Sequence, residues 1–581
     1  RMEYSTNITN AHQLQLMALN LGASYTLANN IDMSELKQAS GMWNTSTGFV
    51  PIGDSSTKFT GTFDGLGHTI TGLYINRPAT NYGGLFGYTQ SSSVIQNVGL
   101  LNANITGQDY VGGLVGYNDF GTISNSYNTG IVTGMSNVGG IVGYNQVGSI
   151  SNSYSTGAVK GMNNVGGLVG YNFFGRINNT YYDIENVLIN GAHYVTIGGL
   201  YASQYQNWVD GGYAALDVAN YGASLPYNSD GSYYTVTTTQ GLKDMLAFLN
   251  MGYTFKLGNN IDLNGLPDWH LPVFNGTFDG AGYTLSNLTV NQPFNDIIGF
   301  IGRNDSGTLI NVGLVNVSIT GNDNVGGLVG YNFGGTISNS YSTGKVNGSS
   351  SVGGLIGYLS GAISNSYNTG TVNGTNNVGG LVGFNVGFAI SNSYNTGTVT
   401  GSGIYIGGLV GRNGFHGKIN DAYNTGAVIG TNDAGGLVGF NSGAISNSYN
   451  TGAVTGTSSI GGLVGYNTNR GTVTNSFWDK TTAGVSNGIG LSEDTSGPSN
   501  TGATGMTTAD FMNKANFTSA TAANGNVNPS WDFDTNWWMS EGNTRPFLRS
   551  EWSTNITNAH QLQLMALNLG ASYTLASNID M

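Results

Sequence analysis

The chain has 581 residues, of which 94 are glycine and none is cysteine, and charged residues make up only 8% of it. The lack of cysteine excludes disulfides and thiolate zinc sites, and a net charge of −13 lacks the basic excess typical of nucleic-acid-binding proteins. No apolar run approaches the roughly 20 residues of a membrane-spanning helix, and 39% hydrophobic residues are too many for a disordered polar tract. The composition predicts a glycine-rich β protein.

Two similar lead-in segments each begin with a short predicted helix. The first helix is predicted over residues 11–21, with Asn10 as its N-cap and Gln13 at the capping-box position. The second is predicted over residues 241–250. Each helix is followed by Asn-Asn-Ile-Asp and then by Phe-x-Gly-Thr-Phe-Asp-Gly-x-Gly-x-Thr. Because the end of a stacked β array exposes unpaired backbone, we interpret these helices as caps.

A shorter repeat dominates the interior of the chain. Its unit is close to V-G-G-L-V-G-Y-N followed by G-T-I-S-N-S-Y-N-T-G, and it recurs every 26–29 residues. Its first glycine falls at Gly83, Gly112, Gly139 and Gly166, and again at Gly326, Gly353, Gly379, Gly407, Gly435 and Gly461. An imperfect copy at residues 298–302 precedes the second set.

Within each unit, alternating side chains predict short β-strands. Ile123, Asn125 and Tyr127 share one parity, which would place them on one face of a strand. A coil of about 27 residues with three short strands is typical of a parallel β-helix, in which successive coils lie about 4.8 Å apart. We therefore predict an all-β protein with two consecutive parallel β-helix arrays and short capping helices.

Stacking of coils also explains why the repeat is neutral. Like charges on successive coils would repel by roughly 0.9 kcal/mol even in water, whereas asparagine amides can hydrogen-bond along the stack. The predicted ladder residues are Asn125, Asn152, Asn339, Asn365, Asn392 and Asn447, and Tyr127, Tyr154, Tyr341, Tyr367, Tyr394, Tyr423 and Tyr449. The adjacent apolar pair Leu114 and Val115 leaves open whether both point inward or one faces outward.

A much longer repeat relates the two ends of the chain. Residues 5–33 recur at residues 553–581 with one difference, Asn29 against Ser577. We therefore expect a parent protein with such modules in tandem. The predicted organisation is a first module at 1–182 (lead-in 1–58, coils 59–182), a connector at 183–232, a second module at 233–480 (lead-in 233–273, coils 274–480), a cap and connector at 481–552, and the start of the next copy at 553–581.

The G-G-L-V-G core resembles the GLUG repeat of bacterial surface proteins. The wider layout, from the capping helix to the closing W-D-F and R-P-F-L, resembles large secreted adhesins of the filamentous haemagglutinin type. This resemblance implies a right-handed β-helix, export to the bacterial cell surface, association with the outer membrane, and adhesion.

Residues that could carry catalysis point to structural roles instead. GLUG repeats also resemble segments of immunoglobulin-cleaving metallopeptidases, but the chain has no H-E-x-x-H motif. The F-D-G-x-G-x-T segments resemble a coil of β-helix polysaccharide lyases. However, Asp64 and Asp279 recur at equivalent positions, as do Asp32 and Asp262, which favours a role in turns. We predict no catalytic residue, no cofactor site and no metal site.

Three functions fit these patterns. The leading hypothesis is a non-catalytic stalk and adhesive segment of a large secreted surface adhesin, whose flank meets a receptor or glycan on a host or neighbouring cell. Adjacent tandem modules of the same polypeptide would be further partners, whereas nucleic acid and a membrane span are not expected. The alternatives are a carbohydrate-processing β-helix enzyme and a self-assembling extracellular fibre subunit.

Overall fold

The computed structural model describes residues 3–493, 502–575 and 579. It confirms the predicted fold class: the chain is an all-β parallel β-solenoid of about 16 turns with few short helices. Two compact units are present. The first contains Arg1–Pro226 and Gln240–Phe248, and the second contains Tyr227–Thr239 and Leu249–Met581.

A typical coil of the first unit has five short strands. They are Asp109–Gly112, Val115–Asp119, Thr122–Ser124, Tyr127–Asn128 and Ile131–Thr133. The prediction of three strands per coil is wrong, because sharp bends divide the longer runs that the sequence suggested.

Each strand pairs in parallel with its equivalents on the coils before and after it. Ile123, for example, lies between Ile95 and Ile150 in register. Five sheets of the first unit are built by this stacking. The first contains, in pairing order, Asn7–Ile8, Ser24–Leu27, Thr62–Asp64, Val94–Gln96, Thr122–Ser124, Ser149–Ser151 and Arg176–Asn178. The second contains Ile31–Asp32, Thr69–Thr71, Gly99–Leu101, Tyr127–Asn128 and Tyr154–Ser155, and the third contains Tyr74–Asn76, Asn104–Thr106, Ile131–Thr133 and Val159–Lys160. The fourth contains Asp109–Gly112, Ser136–Gly139 and Asn163–Gly166, and the fifth contains Phe86–Thr89, Val115–Asp119, Val142–Gln146 and Val169–Phe173. A further two-stranded sheet pairs Tyr182–Asp183 with Gly199–Leu200.

In the second unit most of the corresponding strands belong to a single 31-stranded sheet. Several strands run through a corner without interruption, the longest being Val329–Ser338. The strands that carry the tyrosines are Tyr341–Asn347, Tyr367–Asn368, Ala389–Asn395, Lys418–Asn424 and Tyr449–Asn450. Beyond the last full coil, Ile489–Ser492 and Ala503–Met506 continue the parallel pairing.

The lead-in helices form close to their predicted positions. The first is an α-helix over Ala11–Leu16 followed by a 3₁₀ turn over Met17–Leu19. Asn10 accepts a hydrogen bond from the Gln13 N–H at 3.0 Å, as its N-cap assignment requires. The second helix spans Thr239–Met245 and continues as a 3₁₀ turn over Leu246–Phe248. A helix over Ala202–Asp210 was not predicted.

The paired apolar positions of the repeat both point inward. Leu114 and Val115 are fully buried, and their N–H groups donate to the same carbonyl, that of Ile141 on the next coil, at 3.0 and 3.1 Å. Two successive donors can converge on one acceptor because the chain bends at this point. The bend therefore turns both side chains into the core.

The glycine pair beside this bend is required by close backbone approach. A Cβ added at Gly113 would lie 2.4 Å from the Gly140 carbonyl oxygen and 2.6 Å from the Asn128 amide nitrogen. No side chain can occupy that space without moving the neighbouring coil. The repeat keeps glycine here because the coils pass so close to one another.

Candidate binding surface

The predicted tyrosines stack in two files, which we name the tyrosine face of each unit. In the first unit, Tyr127 and Tyr154 stack with centroids 4.8 Å apart and an interplanar angle of 1°. In the second unit, Tyr341, Tyr367, Tyr394, Tyr423 and Tyr449 stack at 4.8–4.9 Å with angles of 2–8°. The ring spacing equals the spacing between neighbouring strands, so each ring contacts its equivalents on adjacent coils.

The predicted asparagines lie at the corner before each tyrosine, and those of the first unit form a hydrogen-bonded outer asparagine ladder. In the second unit the amide of Asn339 donates in the same way to Asn311 at 3.3 Å. The Asn125 amide donates to Asn97 at 3.0 Å, and the Asn152 amide donates to Asn125 at 3.2 Å. Asn125 has a φ of 49°, and Asn339, Asn365, Asn392 and Asn447 have φ values of 47–50°. Asparagine tolerates this left-handed conformation better than most residues, so it both turns the chain and links the coils.

The left-handed corner changes which side chains point inward. The alternation predicted one face for Ile123, Asn125 and Tyr127, but Ile123 is buried, Asn125 is exposed and Tyr127 is half-buried. Ser126 and Asn128 are buried instead. The prediction fails because it assumed one straight strand through Asn125, whereas the corner resets the alternation.

Sequence reasoning missed two inner asparagine ladders in the core. The first uses the last residue of V-G-Y-N: the amide of Asn118 donates to Asn145, and that of Asn145 to Asn172, both at 2.8 Å. In the second unit, Asn385, Asn413, Asn441 and Asn467 are linked in the same way at 2.8–3.0 Å. Leu359 occupies one equivalent position and is fully buried. The signal that could have revealed this ladder is the recurrence of asparagine at this repeat position.

The second inner ladder uses the last asparagine of N-S-Y-N. Asn368 donates to Asn395, Asn395 to Asn424 and Asn424 to Asn450, each at 2.9 Å. Asn395 also donates to the Gly397 carbonyl and accepts from the Gly397 N–H. These buried amides therefore satisfy their own polar groups and the backbone of the following turn.

In the first unit the connector helix covers part of the tyrosine face. The indole N–H of Trp208 donates to the Asn179 side chain, the last rung of the outer ladder, at 2.7 Å. Tyr213 stacks on Tyr154 with centroids 5.4 Å apart. Tyr127, further along the face, remains half-buried.

In the second unit residues 503–552 pack against the tyrosine face. The buried aromatic cluster that results contains Tyr394, Tyr423, Tyr449, Phe477, Met506, Phe511, Phe517, Trp531, Phe533, Trp537 and Leu548. The indole N–H of Trp537 donates to Asp421 at 3.0 Å, and Asp421 stands where other coils carry the outer-ladder asparagine. Burial raises the pKa of Asp421 above its ordinary value.

The start of the repeated segment follows this cluster and lies on the same face. We name residues 549–575 the junction segment. The Tyr423 hydroxyl donates to Glu551 Oε1 at 2.8 Å, and His560 Nδ1 lies 2.7 Å from Glu551 Oε2 and 3.0 Å from the Tyr423 hydroxyl oxygen. Burial, reinforced by the Glu551 charge, raises the pKa of Tyr423 well above its ordinary value.

A second aromatic file runs along another side of each array, at the tyrosine of V-G-Y-N. In the second unit it contains Tyr331, Tyr358, Phe384, Arg412, Phe440 and Tyr466, all half-buried. The Arg412 guanidinium lies 4.8 Å from the Phe384 ring centre and 5.2 Å from that of Phe440, which are cation–π distances. We name this set the outer aromatic file.

The aspartates of the lead-ins serve turns, as predicted. The carboxylates of Asp64 and Asp279 each accept a hydrogen bond at 2.8 Å from the N–H two residues later. Asp32 and Asp262 do the same at 2.9 Å. Within the described residues, no group of three or more histidine and acidic side chains is arranged to hold a metal ion.

No helix in the described part of the chain has the length and hydrophobicity needed to cross a membrane.

Comparison with known families finds the GLUG motif at five places. The matched residues are 107–133, 135–160, 321–347, 348–373 and 374–400, and each is close to one coil of the solenoid. The predicted GLUG repeats are therefore confirmed, whereas the resemblance to filamentous haemagglutinin-type adhesins stays a prediction.

Two curated proteins share parts of this sequence. Halomucin from Haloquadratum walsbyi is 44% identical over 112 residues, which are 19% of this chain and 1% of halomucin. A protein from Evansella cellulosilytica described as a Gly-rich membrane protein is 36% identical over 107 residues, which are 18% of this chain and 12% of that protein. The chain thus matches only a small part of each relative.

Among solved structures, a chain from Bacteroides ovatus described as an immunoglobulin A1 protease is 19% identical. The match covers 55% of this chain and 94% of that one with a TM-score of 0.32, which is too low to support an argument about fold or function. Together, the GLUG repeats, the solenoid and the names of the relatives are consistent with a surface-associated repeat protein.

Proposed function

We propose that this chain is a non-catalytic structural and adhesive segment of a large exported cell-surface protein, and that it binds through a flank of its solenoid. The observation that carries this proposal is the contrast between the two aromatic files. In the second unit, residues 503–552 bury Tyr394, Tyr423 and Tyr449 of the tyrosine face, whereas the outer aromatic file stays half-exposed along successive coils. A row of partly exposed rings offers repeated stacking contacts to a glycan or protein ligand.

The same architecture suits a structural role. Amide ladders and ring files link neighbouring coils in both units. Most of their side chains are neutral, and Arg412 and Asp421 are charged exceptions. Such contacts keep the polar core satisfied without charges that salt would screen. The aspartates that would be needed for acid–base chemistry instead accept hydrogen bonds in turns.

The adhesive part of the proposal is tested by binding of the full chain to host cells, neighbouring cells and glycan surfaces. The double variant Phe384→Ser and Phe440→Ser removes the rings on both sides of Arg412, and we expect binding to fall about tenfold. Phe415→Ser is the matched control, because Phe415 is exposed but lies outside the outer aromatic file. Equal binding by both variants would contradict the proposed flank.

The non-catalytic part is tested with uronate polymers, with and without calcium. We expect no new reducing or unsaturated ends after prolonged incubation. Their appearance, and their loss in Asp64→Asn or Asp279→Asn, would favour the carbohydrate-processing alternative.

A further inference from the structure

The repeated segment occurs twice in this chain, in two different environments. Residues 553–581 match residues 5–33 at all but one position, and the match extends in part to residues 549–552, where Glu551 corresponds to Glu3. The two copies begin with the same fold, since the helices Ala11–Leu16 and Ala559–Leu564 are capped in the same way by Asn10 and Asn558. Differences between the copies therefore report on what surrounds them.

The second copy is held on the tyrosine face of the second unit. Its Glu551 accepts from the Tyr423 hydroxyl, and its His560 ring lies 5.7 Å from the Tyr394 ring. Only 1% of the Glu551 side chain is exposed. A carboxylate so deeply buried is favourable only if it is paired and hydrogen-bonded. His560 pairs with it, and the Tyr423 hydroxyl and the Leu548 N–H donate to it.

The first copy carries the same pair of side chains, and no tyrosine among the described residues is hydrogen-bonded to it. Glu3 Oε2 lies 3.4 Å from His12 Nδ1, matching the Glu551 and His560 pair, but 66% of the Glu3 side chain is exposed. Glu35 contacts the other ring nitrogen of His12, Nε2, at 3.1 Å. A tyrosine hydroxyl could therefore approach Glu3 and Nδ1 without displacing Glu35.

We propose that, in a parent protein with tandem periods, the surface formed by Glu3 and His12 docks on the tyrosine face of the neighbouring period, as Glu551 and His560 dock on Tyr394 and Tyr423 within this chain. This inference rests on the proposed stalk function and names the contact that joins consecutive periods. The partner is specified by its chemistry: a stacked tyrosine file whose hydroxyl donates to a carboxylate that becomes buried. The joint between periods would then be a fixed interface.

The test places the N-terminal sequence on a tyrosine face within the full chain. The substitutions Ser550→Met, Trp552→Tyr and Ser577→Asn make residues 549–581 identical to residues 1–33. Exposure of Glu551 is measured by carbodiimide coupling of glycine ethyl ester to its carboxylate. Because the two segments are identical in this variant, mass spectrometry distinguishes Glu551 from Glu3 by peptides that also contain Phe547 and Leu548. We expect Glu551 of this variant to react at least tenfold more slowly than Glu3. Reaction of both at the same rate would overturn the proposal.

A second variant checks which contact holds the junction segment. Tyr423→Phe removes only the hydroxyl and keeps the stacked ring, and we expect it to raise the labelling of Glu551 about tenfold. Tyr127→Phe makes the same change on the tyrosine face of the first unit and should leave Glu551 unchanged. Unchanged labelling in Tyr423→Phe would overturn the proposal. Cell binding by the Phe384→Ser and Phe440→Ser variant reads out the adhesive function separately.

Discussion

The two units cover their tyrosine faces with segments of very different size. The first uses the nine-residue helix Ala202–Asp210 and leaves Tyr127 half-buried. The second uses residues 503–552 and buries Tyr394, Tyr423 and Tyr449. The unit with the larger number of stacked tyrosine rings, five against two, therefore has the larger covering segment.

Both covers nevertheless use the same anchor. A tryptophan indole N–H donates to an outer-ladder position in each unit, from Trp208 to Asn179 and from Trp537 to Asp421. The outer ladder therefore has a second role beyond linking coils, because it presents acceptors at the edge of a flat aromatic surface. A tryptophan satisfies both features, since it combines a large ring with one donor.

Removing the anchor should have the largest effect. Trp537→Ala takes a fully buried ring out of the aromatic cluster and leaves the Asp421 carboxylate without one of its donors. We expect a loss of about 3–5 kcal/mol in the free energy of opening of strands Ala389–Asn395 and Lys418–Asn424, measured by hydrogen exchange. Trp208→Ala should act comparably in the first unit. Trp538→Ala is the control, because Trp538 is only half-buried.

The second-largest effect is expected when an asparagine of the second inner ladder is replaced, and a replacement in the outer ladder should cost less. Asn395→Ala removes one of the two acceptors of the buried Asn368 amide and one of the two donors to the buried Asn424 oxygen. We expect a loss of about 2–3 kcal/mol in the free energy of opening. Asn392→Ala, three residues earlier, should cost about 1 kcal/mol, chiefly because alanine disfavours its left-handed conformation. Equal costs, read by hydrogen exchange, would contradict the assignment of the two ladders.

Docking of the junction segment should depend on pH. Burial lowers the pKa of His560, but its hydrogen bond and charge interaction with Glu551 outweigh this and raise the pKa above 6.5. A raised folded-state pKa means that the stabilisation is complete below the unfolded value and is lost as pH rises through the folded value. The other groups facing His560 are the Tyr423 hydroxyl and the Tyr394 and Phe547 rings.

Hydrogen exchange of the junction segment, corrected for intrinsic rates, measures this dependence. We expect greater protection at pH 6 than at pH 9 in the native chain. In His560→Gln the corrected protection should no longer change between these pH values. A native profile that rises with pH would contradict the assignment.

The smallest effect is expected for Asp421→Asn. This substitution restores the residue found on other coils and keeps an oxygen that can accept from Trp537. The amides of Asn420 and Asn536, which donate to the other carboxylate oxygen, can rotate to present their own oxygens to the new amide. It also removes the cost of burying a carboxylate whose pKa burial raises. We expect a change within about 0.5 kcal/mol, measured by hydrogen exchange of Lys418–Asn424. A loss above 2 kcal/mol would show that the charge itself holds the cover.

The fold was predictable because the same local pattern recurs at nearly constant spacing. Glycines such as Gly112 and Gly139 lie 27 residues apart, and a repeated unit too short for its own core must stack on its neighbours. The same spacing placed the tyrosines of successive coils beside one another. Direct reading of the repeat was sufficient for these features.

The direction in which each side chain of a coil points was harder to predict from the sequence. The left-handed Asn125 resets the alternation, so the pattern pointed to the outer asparagine and missed the buried Asn128. The covers were also missed, because Trp537 reaches Asp421 across 116 residues and has no repeated partner that would reveal its register. A contact that occurs only once along the chain produces no periodic sequence pattern from which it could be predicted.

The first inner asparagine ladder, at the last residue of V-G-Y-N, bears on how such arrays can change in length. Each asparagine of this ladder bonds in the same way to its equivalents on the preceding and following coils. If one whole coil were inserted or deleted, the asparagines of the two newly adjacent coils could therefore form the same bond. Leu359 shows that even an unmatched rung is accommodated. Unequal recombination between neighbouring repeats could therefore lengthen or shorten the protein without redesign of its core.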